Sequence, residues 1–324
     1  MREFALGPRR WLTIFVLLCL AAVCIPVRSE VAGKNGAPAT SKRDLTFFQV
    51  SDTHYGLSPM VDQAGPLLVD KMNQLPGTAF PPSIGGVVGK PRGVIHTGDI
   101  TNDATKDQWE LFVRDYGLTG KEGRLSWPVY ETFGNHDGDE KSPVRAGIRE
   151  RNKTRVGLTQ ISDNGLHYSW DWDGIHFVSC GISVGTTIQP YDPEHSFEFL
   201  EADLKKNVGT SGRPVILFHH FGFEKESLGW WPEEWRTKYD ELIKGYNVIA
   251  ILQGHAHTTS IYQWNQIDIY HPPHILQKGP RDSGPVTHGF FVFHISDNEL
   301  TVVERRLDDT WGMTARKTFQ TSTE

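Results

Sequence analysis

The sequence predicts an α/β fold with two β-rich layers and helices outside them. Three observations lead there. Five short apolar runs, at residues 45–50, 93–97, 129–133, 214–218 and 248–252, are bounded by turn residues and read as buried strands. Stretches with helical spacing lie between them, and the last part of the chain is strand-like again. Each run is followed at once by polar residues dominated by Asp, Asn and His. In open α/β sheets the ligand site lies beyond the carboxyl ends of the strands, so five such ends predict one shared site.

Taken in chain order, residues 1–29 differ in kind from the rest. Arg2, Arg9 and Arg10 precede an apolar run at 11–25, and Pro26-Val27-Arg28-Ser29 follows. A charged start, a short apolar run and a small residue at the cut describe a secretory signal peptide. The chain is therefore expected to be secreted or otherwise extracytoplasmic after cleavage near Ser29. The apolar run is shorter than the roughly 20 residues that span a bilayer as a helix. No stable transmembrane anchor is expected, an uncleaved anchor being the alternative. Residues 30–43, rich in Gly, Ala, Lys, Ser and Pro, read as a flexible leader, and 44–318 as the folded domain.

Within that domain, 60–75, 105–115 and 195–207 fit amphipathic helices, the last with Phe197, Leu200 and Leu204 on one face. Pro232 suits the first turn of a helix over 231–245. Residues 167–180 alternate around Asp173-Gly174, the strongest hairpin signal in the chain. Runs at 289–295 and 300–306 are joined across Asp297-Asn298.

Composition bounds the function. With 38% hydrophobic, 11% aromatic and 22% charged residues, the chain has material for a core. Its formal net charge of −6 becomes about −9 once residues 1–29, with four Arg and one Glu, are removed. That acidity argues against nucleic acid as a partner, which requires a basic face. Cys19 and Cys24 leave with the signal. Cys180 is then alone, no intrachain disulfide can form, and its place after a strand predicts a small buried hydrophobe.

The chemistry lies in five clusters: Asp52-Thr53-His54, Gly98-Asp99, Gly134-Asn135-His136-Asp137, His219-His220 and Gly254-His255-Ala256-His257. Carboxylate oxygens, imidazole nitrogens and an amide oxygen are donors for divalent zinc, manganese or iron. Asp52 and His54 are two apart, as are His255 and His257, so at a strand end each pair can face one side. Gly98 lets the backbone turn so that the Asp99 carboxylate approaches a cation closely. A carboxylate can bridge two ions at roughly 3.5–4 Å separation. Singly these motifs are weak; together and in order they point to one dinuclear metal site.

These clusters resemble those of the calcineurin-like metallophosphoesterase superfamily: Asp-x-His, Gly-Asp, Gly-Asn-His-Asp/Glu, an isolated His and Gly-His-x-His, in this order. The resemblance implies a four-layered α/β/β/α sandwich with two mixed β-sheets and two divalent metal ions at strand ends. It implies that Asp52, His54, Asp99 and His257 hold one ion, and that Asp99, Asn135, His219 and His255 hold the other. His219 is taken in preference to His220 because the family's ligand tends to be the first of such a pair. A hydroxide shared between the cations would attack phosphorus in line, and the metals would offset charge on the phosphoryl oxygens. His136 would protonate the leaving group, with Asp137 orienting its ring and Asn135 also touching phosphate. The expected substrate is a phosphoester, either a small molecule or a lipid headgroup, and monoester or diester.

One departure narrows the branch. The purple acid phosphatases carry a Tyr three residues after the Gly-Asp aspartate, where this chain has Asn102. Without a phenolate, ferric iron is not expected, and Mn, Zn or divalent Fe remains. Asn102, His220, Arg145 and Trp231 are the candidates to meet the substrate. Arg145 belongs to a basic segment, 141–155, that reads either as a cap over an anionic substrate or as a solvated face. Trp231 reads either as a stacking platform or as packing under a loop. A non-catalytic scaffold would be expected to lack a ligand or the acid at His136, and every position is filled.

Overall fold

A computed structural model describes residues 43–185, 195–275 and 288–321. The expected signal peptide (1–29) and all of the expected leader except Arg43 lie outside the described residues. Lys42–Glu324 forms one compact unit. Among the described residues no helix is long and apolar enough to cross a membrane.

Numbered in chain order, β1 (Asp44–Val50), β2 (Pro91–His96) and β3 (Val129–Glu131) pair in parallel. Against β1 lie β11 (Gly289–Ser296), β12 (Glu299–Arg306) and β13 (Trp311–Thr318), each antiparallel to its neighbour, giving the order β13-β12-β11-β1-β2-β3. The second sheet contains β4 (Leu158–Ile161), β5 (Tyr168–Trp172), β6 (Ile175–Ser179), β7 (Val215–Phe218), β8 (Val248–Leu252), β9 (Ser260–Trp264) and β10 (Ile267–His271). Its order is β4-β5-β6-β7-β8-β10-β9, parallel from β6 through β10 and antiparallel at both edges. The five apolar runs thus become the parallel strands β1, β2, β3, β7 and β8.

Alternation along the strands makes the layers. Leu45 and Phe47 of β1, Ile216 and Phe218 of β7, and Leu300 and Val302 of β12 enter one buried cluster with Trp170 and Phe177. Phe48 and Val50, Val215 and Leu217, and Val303 face the other way, into the cluster that holds the helical residues. The first cluster lies between the sheets and the helices cover their outer faces, so the four-layered sandwich is present. Aromatic pairs fill the middle: Trp170 stacks on Phe177 at 5.1 Å and on Tyr130 at 4.2 Å, and Phe47 on Phe293 at 4.6 Å. Each such pair is worth about 0.5–1.5 kcal/mol beyond the area it buries.

The helices start where side-chain caps permit. Ser58 accepts from Val61 N at the head of α1 (Pro59–Gln74), and Thr105 from Gln108 N at the head of α2 (Lys106–Asp115). Ser142 caps α3 (Pro143–Thr154), whose first residue is proline. This helix occupies the basic segment, and two of the segment's cations turn inward, Arg151 and Arg155 reaching the buried Glu131 carboxylate at 2.8 and 2.9 Å, while Lys141 and Lys153 stay exposed. Asn152, although in a glycosylation sequon, is buried and donates to Gly165 O at 2.9 Å.

Three local expectations are corrected. α4 (Ser196–Asp203) stops at Asp203 and continues as a π-helical turn over Leu204–Val208. The short α5 (Lys225–Leu228) was not expected, and α6 (Glu233–Ile243) begins after Pro232, whose ψ of 142° is extended, so the proline is the cap rather than a first-turn residue. The Asp173-Gly174 hairpin forms as read, with both residues at positive φ (47° and 79°) as a type I′ turn requires. Cys180 is buried, and burial raises its thiol pKa well above the usual value.

Candidate metal centre

All five polar clusters sit just past the carboxyl ends of parallel strands. The loop after β1 lies along the loop after β2: Asp52 N, His54 N and Tyr55 N donate to Gly98 O, Asp99 O and Ile100 O, each at 3.0 Å. Asn135–Asp137 forms a 3₁₀ turn after β3. His220 N donates to Gly181 O at 3.1 Å, and Gly254 N to His220 O at 3.0 Å, which brings the ends of β6, β7 and β8 together. Across the sheets, the Gln49 side-chain amide donates to Gln253 O and Tyr270 O at 3.1 and 3.2 Å.

Two donor groups result. Asp52, His54, Asp99 and His257 form one and Asp99, His220 and His255 the other, with all ligand atoms of a group within 4.8 Å of one another. In the first, His54 Nε2 lies 3.2 Å from His257 Nε2 and 3.5 Å from Asp99 Oδ2, while His257 Nε2 lies 3.4 Å from Asp52 Oδ1. In the second, His220 Nε2 is 3.2 Å from Asp99 Oδ2. Ligand atoms about 2.0–2.2 Å from one metal ion are themselves about 3–3.5 Å apart in tetrahedral or octahedral geometry, so these spacings fit a cation.

The electrostatics fit as well. Burial would raise the Asp99 carboxyl, yet His220, His54 and His136 hold it well below the usual range. Against burial, Asp99 pushes the His220 imidazole up to about 9. Burial pushes His54 down to about 4 and His255 down to about 3, leaving both as neutral donors. His220 Nε2 is buried with no hydrogen bond, a donor atom that a cation beside Asp99 would satisfy. Asn135 Oδ1 is buried with no hydrogen bond, a neutral oxygen that a cation at the second group would satisfy.

The backbone is forced to make this arrangement. Asp52, His54, Asp99, His255 and His257 all have positive φ, between 40° and 78°. For residues with side chains such conformations cost of order 1–3 kcal/mol each and cluster at functional sites. Close approach demands glycine beside them: a Cβ on Gly134 would fall 2.3 Å from Asp99 Oδ1, and one on Gly254 would fall 2.1 Å from Ser51 Oγ.

The structure corrects several assignments. His220, not His219, joins the cluster; its Nδ1 donates to Thr97 O at 2.8 Å, which aims Nε2 at Asp99. It is therefore a candidate ligand rather than a substrate contact. His219 points away, donating to Phe221 O at 2.7 Å among Trp231, Phe223 and Tyr239. Asp137 does not orient His136. Its buried carboxylate accepts from Gly134 N, Ile100 N and Thr101 N at 2.8, 3.1 and 2.9 Å, tying the β2 and β3 loops together. Burial and Asp99 push its pKa up to about 6. The orienting group is the Asn102 carbonyl, 2.8 Å from His136 Nδ1, so Asn102 supports the acid through its backbone and turns its side chain toward Asp103.

Arg145 is buried, its guanidinium 4.1 Å from the Phe133 ring centre, and is not presented to the cavity. Trp231 is fully buried, with its indole N–H donating to Val184 O at 2.9 Å; the packing alternative is the one observed. The cavity over the donors, about 350 Å³, is lined by Asp99, Asn135, His136, His255 and His257, and also by Glu226 and Trp230. Trp230 stands in the run of tryptophans just beyond His219-His220, where an aromatic able to stack on a substrate's organic group was expected. Glu226 was missed, its only signal a spacing of four from Trp230 across a turn. A neighbouring hollow of about 540 Å³, which includes Glu226, Tyr262 and His271, opens beside it.

Donors from two mixed sheets fall into two groups that share the Asp99 carboxylate, the arrangement that a two-metal site requires. The chain belongs to the calcineurin-like phosphoesterases, whose family model matches residues 45–259. No curated protein matches it in sequence. Among solved structures it is similar to a dimetal phosphatase from Danio rerio, at 10% identity and a TM-score of 0.61 over 85% of this chain and 99% of that one. It is also similar to GAP50, the anchor in the inner membrane complex of Plasmodium, at 12% identity and a TM-score of 0.56 over 86% and 90%. A purple acid phosphatase from yellow lupin (Lupinus luteus) seeds matches at 14% identity and a TM-score of 0.57 over 86% of this chain and 54% of that one.

Proposed function

We propose that this protein is an exported phosphoester hydrolase that works with two divalent cations, Mn, Zn or Fe. The observation that carries this reading is Asp99, which belongs to both donor groups at the floor of a cavity that also contains His136. Asp52, His54, Asp99 and His257 would hold one ion; Asp99, Asn135, His220 and His255 would hold the other. Bound there, the cations would supply Lewis acidity, offsetting phosphoryl charge and making water acidic enough to ionise near neutral pH.

The chain's own residues do the rest. His136 N donates to Asp99 Oδ1 at 2.8 Å, so the shared ligand also positions the acid's backbone. With Nδ1 bonded to Asn102 O, the proton that moves is the one on His136 Nε2, which passes to the departing alkoxide. Asn135, beside it on the same turn, would place its amide against the phosphate. Export is supported by the charged start, apolar run and small residue at the cut in residues 1–29.

The test is a refilled enzyme. Protein stripped of metal and given single ions is assayed on nitrophenyl phosphate, bis(nitrophenyl) phosphate, nucleotides and phospholipids, which separates monoesterase from diesterase. Asp99→Asn should abolish turnover and lower metal content. His136→Ala should cost about 10²–10⁴-fold on alkyl leaving groups, and far less on nitrophenolate, which leaves without a proton. Hydrolysis that survives both changes would overturn the assignment. Intact-mass measurement of protein recovered outside the cell should give a chain beginning near Glu30; a full-length cell-bound chain would overturn export.

A further inference from the structure

One wall of the metal cavity carries charge of the wrong sign for a bare phosphate. The turn of α5 continues past its end: Trp230 N and Trp231 N both donate to Ser227 O, at 2.9 and 3.0 Å. Glu226 and Trp230, four residues apart, share a face of that turn, and both line the cavity together with the metal donors. The turn is braced from behind. Glu224 accepts from Ser227 N at 3.2 Å, Ser227 Oγ accepts from Gly222 N at 2.9 Å, and Phe223 stacks on Trp264 at 3.8 Å. Trp231, buried beneath, anchors the other end through Val184 O.

Glu226 is exposed and makes no side-chain hydrogen bond or ion pair among the described residues. No lysine or arginine lines this cavity among the described residues; Lys225 lines the neighbouring hollow instead. Two aspartates already furnish its anionic donors, and a further carboxylate repels any phosphoryl oxygen that approaches it. Next to Trp230, 38% exposed, that carboxylate gains a purpose. A carboxylate and an indole face together bind an organic cation, one by charge and the other by its quadrupole.

We propose that Glu226 and Trp230 form a subsite for an ammonium group on the substrate's alcohol. The preferred substrates are then phosphoesters of amino alcohols, either free in solution or in a lipid headgroup. The phosphate end rests on the hydrolase reading above; the ammonium end rests on this turn.

The test compares phosphocholine with its uncharged carbon isostere, 3,3-dimethylbutyl phosphate, by calorimetry on the Mn²⁺-loaded protein. Wild type should bind the cationic ligand about tenfold more tightly. Glu226→Gln and Trp230→Leu should each bring that ratio toward one while Mn²⁺ content stays at the wild-type level. Equal affinities in the wild type, equal weakening of both ligands in Glu226→Gln, or loss of Mn²⁺ from that variant would overturn the subsite. The nitrophenyl esters of the two ligands should show the same ratio in kcat/KM. A calorimetric preference without hydrolysis of either ester would sink the hydrolase reading and leave the subsite standing. Hydrolysis without preference would do the reverse. Vesicles of phosphatidylcholine against phosphatidylglycerol separate the sources: selective cleavage of the former supports a lipid-borne ammonium, and preference only among the soluble esters supports a free one.

Discussion

His219 and His220 show what one residue can decide. Both are buried and adjacent, yet only His220 meets Asp99. Successive side chains at a strand end point to opposite faces, so which histidine serves depends on which side of β7 the first sheet lies. A single sequence does not display that relation, whereas the neighbouring ligands, spaced by two, were legible because either member fixes the other. We expect His220→Ala to lose one of two bound ions per chain by elemental analysis and His219→Phe to retain both. Asp137 is placed by its turn instead. Next to His136 in a 3₁₀ turn, it faces the backbone N–H groups of the opposite loop and not the imidazole.

At the scale of elements, strands were easier to read than helices. Buried parallel strands announce themselves as apolar runs, but α3 hid its helix behind positive charge. Its inward cations are explained only by Glu131, an acid buried on β3 that the sequence placed in an apolar run. Arg151 and Arg155 hold the Glu131 carboxyl below its usual range despite burial. Removing the acid leaves buried guanidinium groups unpaired, and we expect Glu131→Gln to cost about 3–5 kcal/mol in denaturant unfolding. A second tie joins β6 to its neighbours: His176 bonds Asp171 at 2.7 Å and Asp203 at 2.6 Å. Burial opposes the charge, but the two carboxylates raise the imidazole pKa above 6.5. Because the folded value lies above the unfolded one, this stabilisation is full below about pH 6.5 and is lost as pH rises through the raised value. Thermal unfolding of His176→Gln against wild type should therefore differ most at acid pH and converge above that window.

For the whole molecule, the two donor groups draw residues from both sheets, so the ions would act as staples between layers. Each ion that binds only the folded state, present at about a hundredfold its Kd, adds about 2.7 kcal/mol. With about 2–4 °C per kcal/mol for chains of roughly this size, chelation of both should lower Tm by roughly 10–20 °C. Calorimetry before and after chelation, with Mn²⁺ restored, checks this. A Tm unmoved by metal would mean that the sheets hold together without the staple.

Asp52 and His255, like His54 and His257, meet across 203 positions of sequence. No fragment that ends before β8 contains either complete donor group, so the centre cannot form until that strand and the loop after it have been made. It requires both sheets to have docked. For an exported chain that folds only after crossing the membrane, that moment falls on the far side. The ion it carries is then chosen by the supply of metals at its destination, and cytoplasmic stores have no say in it.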